Sequence, residues 1–369
     1  MTTIPLFKVS TNVSGALENI KGVLESGYVG QGWWCSEIER RFSEIMQRER
    51  VLYVNSGTSA LQLAFHLAGA GPGTEVISTP ITCLATNAAI VANGASIVWA
   101  DVDPSTGNID PESVARLMTA KTRAVVGVNW GGRVCRFDDI RKLVRGVTLI
   151  EDAAHSMCAS STDKGDITCY SLQAIKHTNS ADGGLICTPS AALHERAKLL
   201  RWFGLDRSRS DAMRCYQPVS EVGWKFQGND VLAALGVANL VGLEDRVAAH
   251  RANAEWFSRR LANVPYVTIP PSDPASSWWL YTIKVSSPAR FETFMAAQGV
   301  AVSQVHARND LYSCFNRDTL YPLSGVSAFA SHQTNIPVGW WLTEKDLEII
   351  AVAIEAWAKT PAASWSAES

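Results

Sequence analysis

The sequence predicts an α/β protein in which a mostly parallel central sheet is flanked by helices in three layers, followed by a smaller C-terminal α+β domain. From residue 51 to residue 189, short apolar runs alternate with amphipathic runs. This alternation is typical of βαβ units around a buried sheet. A long amphipathic stretch at residues 229–264 separates that region from a second set of elements. A chain of 369 residues is long enough for two such domains.

The elements of the large domain follow one another in short steps. Two helices are predicted first, and a strand at residues 50–57 follows them. The first two helices are predicted at 16–27 and 36–47. Four further helices are predicted at 59–70, 85–95, 110–119 and 137–146. Further strands are predicted at 74–80, 96–103, 123–130, 147–155, 166–176 and 183–189.

The C-terminal region has a pattern of its own. Residues 229–264 read as one long helix, followed by strands at 278–285 and 299–306 and a closing helix at 344–358. We place the domain boundary near residue 245. Residues 1–245, with the N-terminal segment included, form the large domain, and residues 246–369 form the small one.

Composition and charge exclude several classes of protein. The net charge of −2 gives no basic surface for nucleic acid. The eight cysteines form no CxxC pair, which argues against a zinc site or a disulfide framework. The N-terminus lacks the pattern of a signal peptide, and no apolar run reaches the ~18 residues of a membrane span. We therefore expect a cytoplasmic protein with no metal, no nucleic acid and no membrane partner.

The first motif that carries chemistry is "NSGTSALQLAF", at residues 55–65. A strand ends there and a helix begins with Ser and Thr as caps. Free backbone N–H groups at a helix start can bind phosphate, which makes Gly57 and Thr58 candidates. An ordinary capped helix would give the same pattern.

The second motif is "LIEDAAHS", at residues 149–156. Asp152 lies at the carboxyl end of a buried strand, where open α/β sheets bind their ligands. A carboxylate at that place can pair with a protonated ring nitrogen and keep a cofactor electron-withdrawing. His155 could contact a second polar atom of the same ligand, or could be a structural histidine.

The third motif is "SLQAIKHTNSADGG", at residues 171–184. A lysine that is desolvated at the end of a strand has a lowered pKa and can form a Schiff base, so Lys176 is a candidate. Ser171 offers a hydroxyl to the phosphate site. A phosphate anchor, a strand-end aspartate and a lysine are together what pyridoxal 5'-phosphate (PLP) needs from a protein.

These motifs resemble those of the DegT/DnrJ/EryC1/StrS family of sugar aminotransferases, which are PLP enzymes of fold type I. The resemblance runs nearly end to end and includes "GYVGQG" at 27–32, "VGWKFQGNDVLAALG" at 222–236, "GVAVSQVHARND" at 299–310 and "NIPVGWWLTEKDLEII" at 335–350. It implies the PLP-dependent transferase fold, with a central sheet between helical layers and a small C-terminal domain.

The resemblance also implies a role for each candidate residue. Lys176 would hold the cofactor and then move a proton, Asp152 would pair with the pyridine nitrogen, and His155 would lie near the ring hydroxyl. The phosphate would be bound by Gly57, Thr58 and Ser171.

The chain departs from the family pattern at two further cofactor positions. Lys225 stands where relatives usually have an Asn that reaches the cofactor phosphate of the partner subunit. Cys83 stands where many relatives place an aromatic residue over the pyridine ring, and a thiol covers that ring with less stacking area. In the C-terminal loop, the substrate contacts are expected from His306, Arg308 and Asn309.

The activity implied by the resemblance is transamination. L-glutamate would donate its amino group through the cofactor to a keto sugar, expected to be a nucleotide-linked 4-keto-6-deoxyhexose. The product would be an amino sugar for a surface polysaccharide or a natural product. Because fold-type I sites are shared between two chains, a homodimer is expected.

Two other functions stay open on the sequence. Some relatives are dehydratases with His in place of the Schiff-base Lys, and here His177 follows Lys176 directly. Lys176 nevertheless stands in the lysine register, five residues after Ser171. The second alternative is a non-catalytic PLP-binding sensor. Paired tryptophans at 33–34, 278–279 and 340–341 could stack on a ligand, form an interface or pack a core, and we assign none of them to the site.

Overall fold

The computed structural model describes residues 3–161, 164–209, 216–315 and 318–364. The helices are α1 (Val13–Ser26), α2 (Trp33–Met46), α3 (Gly57–Leu67), α4 (Leu84–Ala92), α5 (Pro111–Leu117), α6 (Phe137–Leu143), α7 (Ala191–Leu200), α8 (Asp230–Leu240), α9 (Leu243–Leu261), α10 (Pro288–Ala297), α11 (Ser324–Ala330) and α12 (Glu344–Ala358). The strands are β1 (Val51–Val54), β2 (Glu75–Ser78), β3 (Ser96–Trp99), β4 (Thr122–Val128), β5 (Thr148–Asp152), β6 (Ile167–Ser171), β7 (Gly184–Cys187), β8 (Val267–Thr268), β9 (Tyr281–Val285) and β10 (Gln333–Ile336).

The large sheet has seven strands in the order β1-β7-β6-β5-β4-β2-β3. Strand β7 runs antiparallel to both of its neighbours, and the pairs from β6 through β5, β4 and β2 to β3 are parallel. Parallel strands need helical crossovers, which cover both faces of the sheet. The predicted α/β fold with a mostly parallel sheet is confirmed.

The three layers are visible in the side chains of β1. Leu52 and Val54 belong to the core shared with α3, α4 and α7. Val51 and Tyr53 point to the opposite face and belong to the core shared with α2 and α8. Because side chains alternate along a strand, this four-residue strand contributes to two cores at once. Its fully apolar sequence is the expected one for a strand that is covered on both sides.

The C-terminal region contains a three-stranded antiparallel sheet in the order β10-β9-β8. Helices α9, α10 and α12 supply the apolar residues that pack with it. The closing helix α12 has the bounds that the sequence predicts. Its start is fixed by a capping box, because the Thr343 side chain accepts from the Asp346 N–H and the Asp346 carboxylate accepts from the Thr343 N–H.

Two of the predicted elements are wrong. The single helix at 229–264 is divided into α8 and α9, because Gly242 adopts a left-handed backbone (φ 73°) that an α-helix cannot continue. The predicted strand at 299–306 makes only isolated pairs, Ile4 with Val300 and Ser303 with Asn335. Val305 interrupts it with φ 59°.

The proposed boundary at residue 245 falls in the first turn of α9. Ile4 belongs to the N-terminal segment, which the proposed division assigns to the large domain, but it packs in the core of the small sheet. In the part of the chain that the structure describes, no helix is both long and apolar enough to cross a bilayer.

Candidate active site

A cavity of about 530 Å³ lies at the carboxyl end of the large sheet. The last residues of three neighbouring parallel strands line it: Val128 of β4, Asp152 of β5 and Ser171 of β6. Because parallel strands end at the same edge, their final side chains converge there. The start of α3 and a wall from the C-terminal region, which includes Trp279 and His306, complete the lining.

The turn between β1 and α3 provides a place for an anion. Ser56 caps α3 by accepting a hydrogen bond from the Ser59 N–H (3.0 Å). Gly57 and Thr58 line the cavity in the first turn of this 11-residue helix. A side chain at Gly57 would place its Cβ 3.0 Å from the Cβ of Ser171. Glycine is therefore needed for the helix start to approach the end of β6.

Asp152 is the buried carboxylate of the site, with 4% of its surface exposed. The Thr86 hydroxyl donates to its Oδ2 at 2.7 Å, and the Ala154 N–H donates to its Oδ1 at 3.2 Å. Burial raises the pKa of Asp152, and the two hydrogen bonds and the charge of Lys176 oppose that rise. A cationic ring nitrogen placed beside Asp152 would favour its ionised form.

Lys176 extends its amine into the cavity from the turn that follows β6. Its Nζ lies 3.6 Å from the centroid of the Trp279 ring. Burial lowers the pKa of Lys176 to about 8, against the opposing charges of Cys83 and Asp152. The amine is therefore more nucleophilic near neutral pH than an exposed lysine.

Two histidines face each other across the cavity wall. The rings of His155 and His306 are parallel, with centroids 5.7 Å apart and an interplanar angle of 6°. Burial, with the nearby charge of Lys176, lowers the pKa of His155 well below its usual range and that of His306 to about 4. Both rings are therefore neutral at pH 7. His155 Nδ1 and His306 Nε2 are buried polar atoms with no hydrogen-bond partner, as expected of groups that await a ligand.

The structure brings together most of the predicted residues. Those that line this one cavity are Gly57, Thr58, Cys83, Asp152, His155, Ser171, Lys176 and His306. Cys83 lies at the N-cap of α4.

Three predicted residues lie outside the cavity lining. Lys225 is exposed and pairs with Trp202 through the backbone. Arg308 is bonded to the carboxylate of Asp310 (2.6 and 3.0 Å) and to the Ser327 hydroxyl (2.9 Å). Asn309 is buried and donates to the Thr82 carbonyl (3.0 Å). Arg308 and Asn309 therefore hold the loop that carries His306, within this chain.

Sequence reasoning missed several residues of the site. Thr86 could have been noticed from its spacing, since it lies four residues after Thr82 at the start of α4 and the two hydroxyls are 2.8 Å apart. Trp279 belongs to the tryptophan pair at 278–279, a pattern that does not distinguish a site residue from a core residue, and Phe7 carried no local signal. Their rings stack with centroids 4.9 Å apart.

His177 does not line the cavity. It is 2% exposed, and its Nε2–H donates to the Ser277 carbonyl (3.1 Å). Its ring contacts that of His250, with centroids 4.7 Å apart. Burial lowers its pKa well below the usual range, so it is a neutral residue between the large sheet and the C-terminal region.

The polar groups that line the cavity fit pyridoxal phosphate. The helix start at Gly57 can receive a phosphate group, Asp152 can receive a protonated ring nitrogen, and Lys176 supplies the amine that binds the aldehyde. The unpartnered Nδ1 of His155 matches a ring hydroxyl. The fold and this site together define a PLP-dependent transferase of fold type I.

Comparison with known proteins gives the family. Residues 12–355 match the DegT/DnrJ/EryC1/StrS aminotransferase family. The chain belongs to this family, which uses PLP, and it is an aminotransferase.

Named relatives agree with this assignment. The chain is 31% identical to the spore coat polysaccharide biosynthesis protein SpsC of Bacillus subtilis, over 73% of this chain and 72% of that protein. It is 32% identical to a dTDP-4-dehydro-2,3,6-trideoxy-D-glucose 4-aminotransferase of Saccharopolyspora spinosa, over 74% of this chain and 76% of that protein. The solved structure of the sugar aminotransferase CalS13 from Micromonospora echinospora matches with a TM-score of 0.89 and 32% identity, over 96% of this chain and 99% of that chain.

Proposed function

We propose that this chain transfers an amino group from L-glutamate to a keto sugar carried on a nucleotide, a 4-keto-6-deoxyhexose being the expected acceptor. The observation that carries the proposal is the position of Lys176, whose buried amine shares one cavity with Asp152 and the start of α3. An amine, a carboxylate and an anion site in this arrangement meet the three needs of a PLP-dependent transaminase.

Each residue has a distinct task in this proposal. The first turn of α3, with Ser171, binds and orients the phosphate group. Asp152 holds a proton on the ring nitrogen, which lets the bound cofactor act as an electron sink. Lys176, once released by the donor amine, would take a proton from the α-carbon of the donor as a general base and deliver it, as a general acid, to the former aldehyde carbon of the cofactor.

We place the sugar acceptor against the cavity wall that the C-terminal region forms. His306 presents a neutral imidazole with an unpartnered Nε2 to the cavity, so it can donate to or accept from a sugar hydroxyl. Phe7, which also lines the cavity, supplies an apolar ring against which a sugar ring can pack. The relative from Saccharopolyspora is named for a dTDP-linked 4-keto sugar, which supports a nucleotide-linked acceptor here.

The homodimer is part of the same proposal. Val13, Leu17, Leu24 and Trp33 are apolar and each more than half exposed. The first three are separated by four and then seven residues, which puts them on one face of α1. Such a face favours burial against a second copy. Lys225, exposed and outside its own cavity, could then reach the cofactor phosphate of the partner subunit.

We also propose that the enzyme works in the cytoplasm. The seven cysteines in the described part of the chain are free thiols, which are typical of a reducing compartment. Cys83, inside the cavity, would be exposed to oxidation elsewhere.

The test is the complete reaction with defined acceptors. The purified protein, loaded with PLP, is incubated with L-glutamate and a panel of dTDP-, UDP-, GDP- and CDP-linked 4-keto sugars. We expect 2-oxoglutarate to appear in step with a nucleotide sugar in which the keto oxygen is replaced by an amino group. L-aspartate and L-alanine serve as alternative donors. The same keto sugars without a nucleotide are tested in parallel. If these free sugars are aminated and no nucleotide-linked sugar is, the nucleotide-linked assignment is wrong.

A further inference from the structure

The indole of Trp279 lies against the reactive amine of this protein. The Nζ of Lys176 lies 3.6 Å from the ring centroid, well within the ~6 Å at which a cation is attracted to an aromatic face. Trp279 is 3% exposed, so the contact is shielded from water.

Several contacts fix the ring in place. Its Nε1–H donates to the carbonyl of Ile175, the residue before Lys176, at 3.0 Å. It stacks on His155, with centroids 4.0 Å apart and an interplanar angle of 25°, and on Phe7 at 4.9 Å. A ring held by stacking and by a hydrogen bond loses little freedom when a cation docks on it.

The backbone that carries Trp279 is also constrained. The preceding residue, Trp278, has a positive φ of 48°, a conformation that is costly for a bulky residue and persists only where the surroundings impose it. Here His250 donates to the Trp278 carbonyl (2.8 Å), and the Ser277 hydroxyl donates to the His155 carbonyl (2.8 Å). The strained segment thus places Trp279 against Lys176.

We propose that Trp279 is a positioning residue, which holds the side-chain amine of Lys176 on its ring whenever that amine is not bonded to the cofactor. The inference rests on the proposed function in one respect, that Lys176 alternates between a cofactor-bound and a free state. In the free state, a long lysine side chain has many rotamers. Trp279 selects one of them and keeps the amine inside the cavity, close to the proton that it has to move.

The charges around the amine are consistent with this role. The titratable groups that interact with the charge of Lys176 are Asp152, Cys83 and three neutral histidines, His155, His177 and His306. Asp152 accepts from Thr86 and from the Ala154 N–H, and no hydrogen bond from Lys176 Nζ to a described residue occurs in the structure. The π face of Trp279 is therefore the contact that defines where the amine rests.

The test measures protonation of Lys176 in the apoprotein, where acceptor chemistry plays no part. Lys176 is labelled with an amine-reactive reagent between pH 6 and 10.5, and the rate is read from the mass of its peptide. Because the ring stabilises the charged amine, we expect Trp279→Leu to lower the apparent pKa of Lys176 by about half a unit or more. Trp279→Phe keeps a π face and is expected to lie between Trp279→Leu and the native protein.

The matched control is Trp340→Leu, which removes a tryptophan that has Lys8 over its ring at 5.6 Å, outside the cavity. It is expected to leave the Lys176 profile unchanged. A profile that is unchanged in Trp279→Leu, or shifted to higher pH, overturns the proposal. If Trp279→Leu lowers the apparent pKa of Lys176 as expected but the native enzyme aminates no sugar, the result would count against the proposed function alone.

A second measurement covers the case in which Trp279→Leu does not fold. Biosynthetic incorporation of fluorotryptophan weakens the π face of every tryptophan with almost no change of shape. We expect it to lower the apparent pKa of Lys176 in the native sequence and to have no effect on that value in Trp279→Phe. Equal shifts in both proteins would show that Trp279 is not the ring that holds the amine.

Discussion

Thr86 donates a 2.7 Å hydrogen bond to the carboxylate of Asp152, and its own hydroxyl lies 2.8 Å from that of Thr82. The carboxylate is buried at the end of β5, so this bond replaces solvation that water would otherwise supply. Loss of the bond raises the pKa of Asp152, because the bond stabilises the charged form. Thr86 thereby controls how readily Asp152 pairs with a cationic ring.

Replacement of Thr86 tests this relationship. Thr86→Val removes the hydroxyl and keeps the shape, so we expect PLP to bind at least about tenfold more weakly, the size of one hydrogen bond to a charged group. Thr86→Ser should bind PLP nearly as well as the native protein, and Thr82→Val should have a smaller effect. The affinities are measured by equilibrium titration of the apoprotein. Equal affinities for Thr86→Val and Thr86→Ser would contradict the role of the hydroxyl.

The pH dependence of cofactor capture follows from the lowered pKa of Lys176. The neutral amine attacks the aldehyde, and its fraction rises with pH around a value of about 8. We expect the capture rate to rise from pH 6.5 to about 8.5 and then to level off. At pH 7, a side chain with the usual pKa of 10.5 would have about 300-fold less neutral amine. Nα-acetyllysine is the control, and a rate that still rises steeply at pH 10 would refute the shift.

His177 separates the transaminase from the dehydratase interpretation. Because His177 is buried outside the cavity and bonded to Ser277, His177→Asn should affect stability more than catalysis. We expect the free energy of unfolding to fall by about 1–3 kcal/mol and kcat/KM to change by less than about threefold. Denaturant titration and steady-state kinetics measure the two. If the His177→Asn variant is folded but as inactive as Lys176→Ala, the result would indicate a catalytic role for His177.

The sharing of sites between subunits can be tested with hybrid dimers. If Lys225 of the partner subunit completes each site, Lys176→Ala and Lys225→Glu should each be inactive as homodimers. Mixed and re-annealed, they should recover about a quarter of the native activity, because half of the dimers contain one intact site. No recovery, in a mixture shown by mass to contain hybrids, would place Lys225 outside the partner's site.

Much of the fold could be predicted because its signals are local. The apolar runs of β1, β5 and β6, the Ser56 cap and the periodicity of α12 are each legible within a dozen residues. The break at Gly242 was missed because the apolar spacing continues across it, and only the positive φ reveals the turn. The failure at 299–306 has a similar cause, since the left-handed backbone of Val305 is atypical of a β-branched residue.

The candidate site, like the fold, could be predicted only where its signals are local. Lys176, Asp152 and the α3 start are each at the end of a predicted strand, and parallel strands bring such ends together. Trp279 and Phe7 reach the cavity from segments that are far apart in the sequence. Their arrival depends on how the C-terminal region packs on the large sheet, which no local pattern encodes. Arg308 looked like a ligand contact, but its partner Asp310 lies two residues away.

The most direct test of the central claim is the absorbance spectrum of the PLP-loaded protein before and after L-glutamate is added alone. We expect a long-wavelength band from the cofactor bonded to Lys176, its loss as glutamate delivers its amino group, and its return when a keto-sugar acceptor is supplied. Lys176→Ala, folded as judged by circular dichroism, should not form the native band. A native band that glutamate leaves unchanged would contradict the half-reaction, and the same band in Lys176→Ala would contradict the role of Lys176.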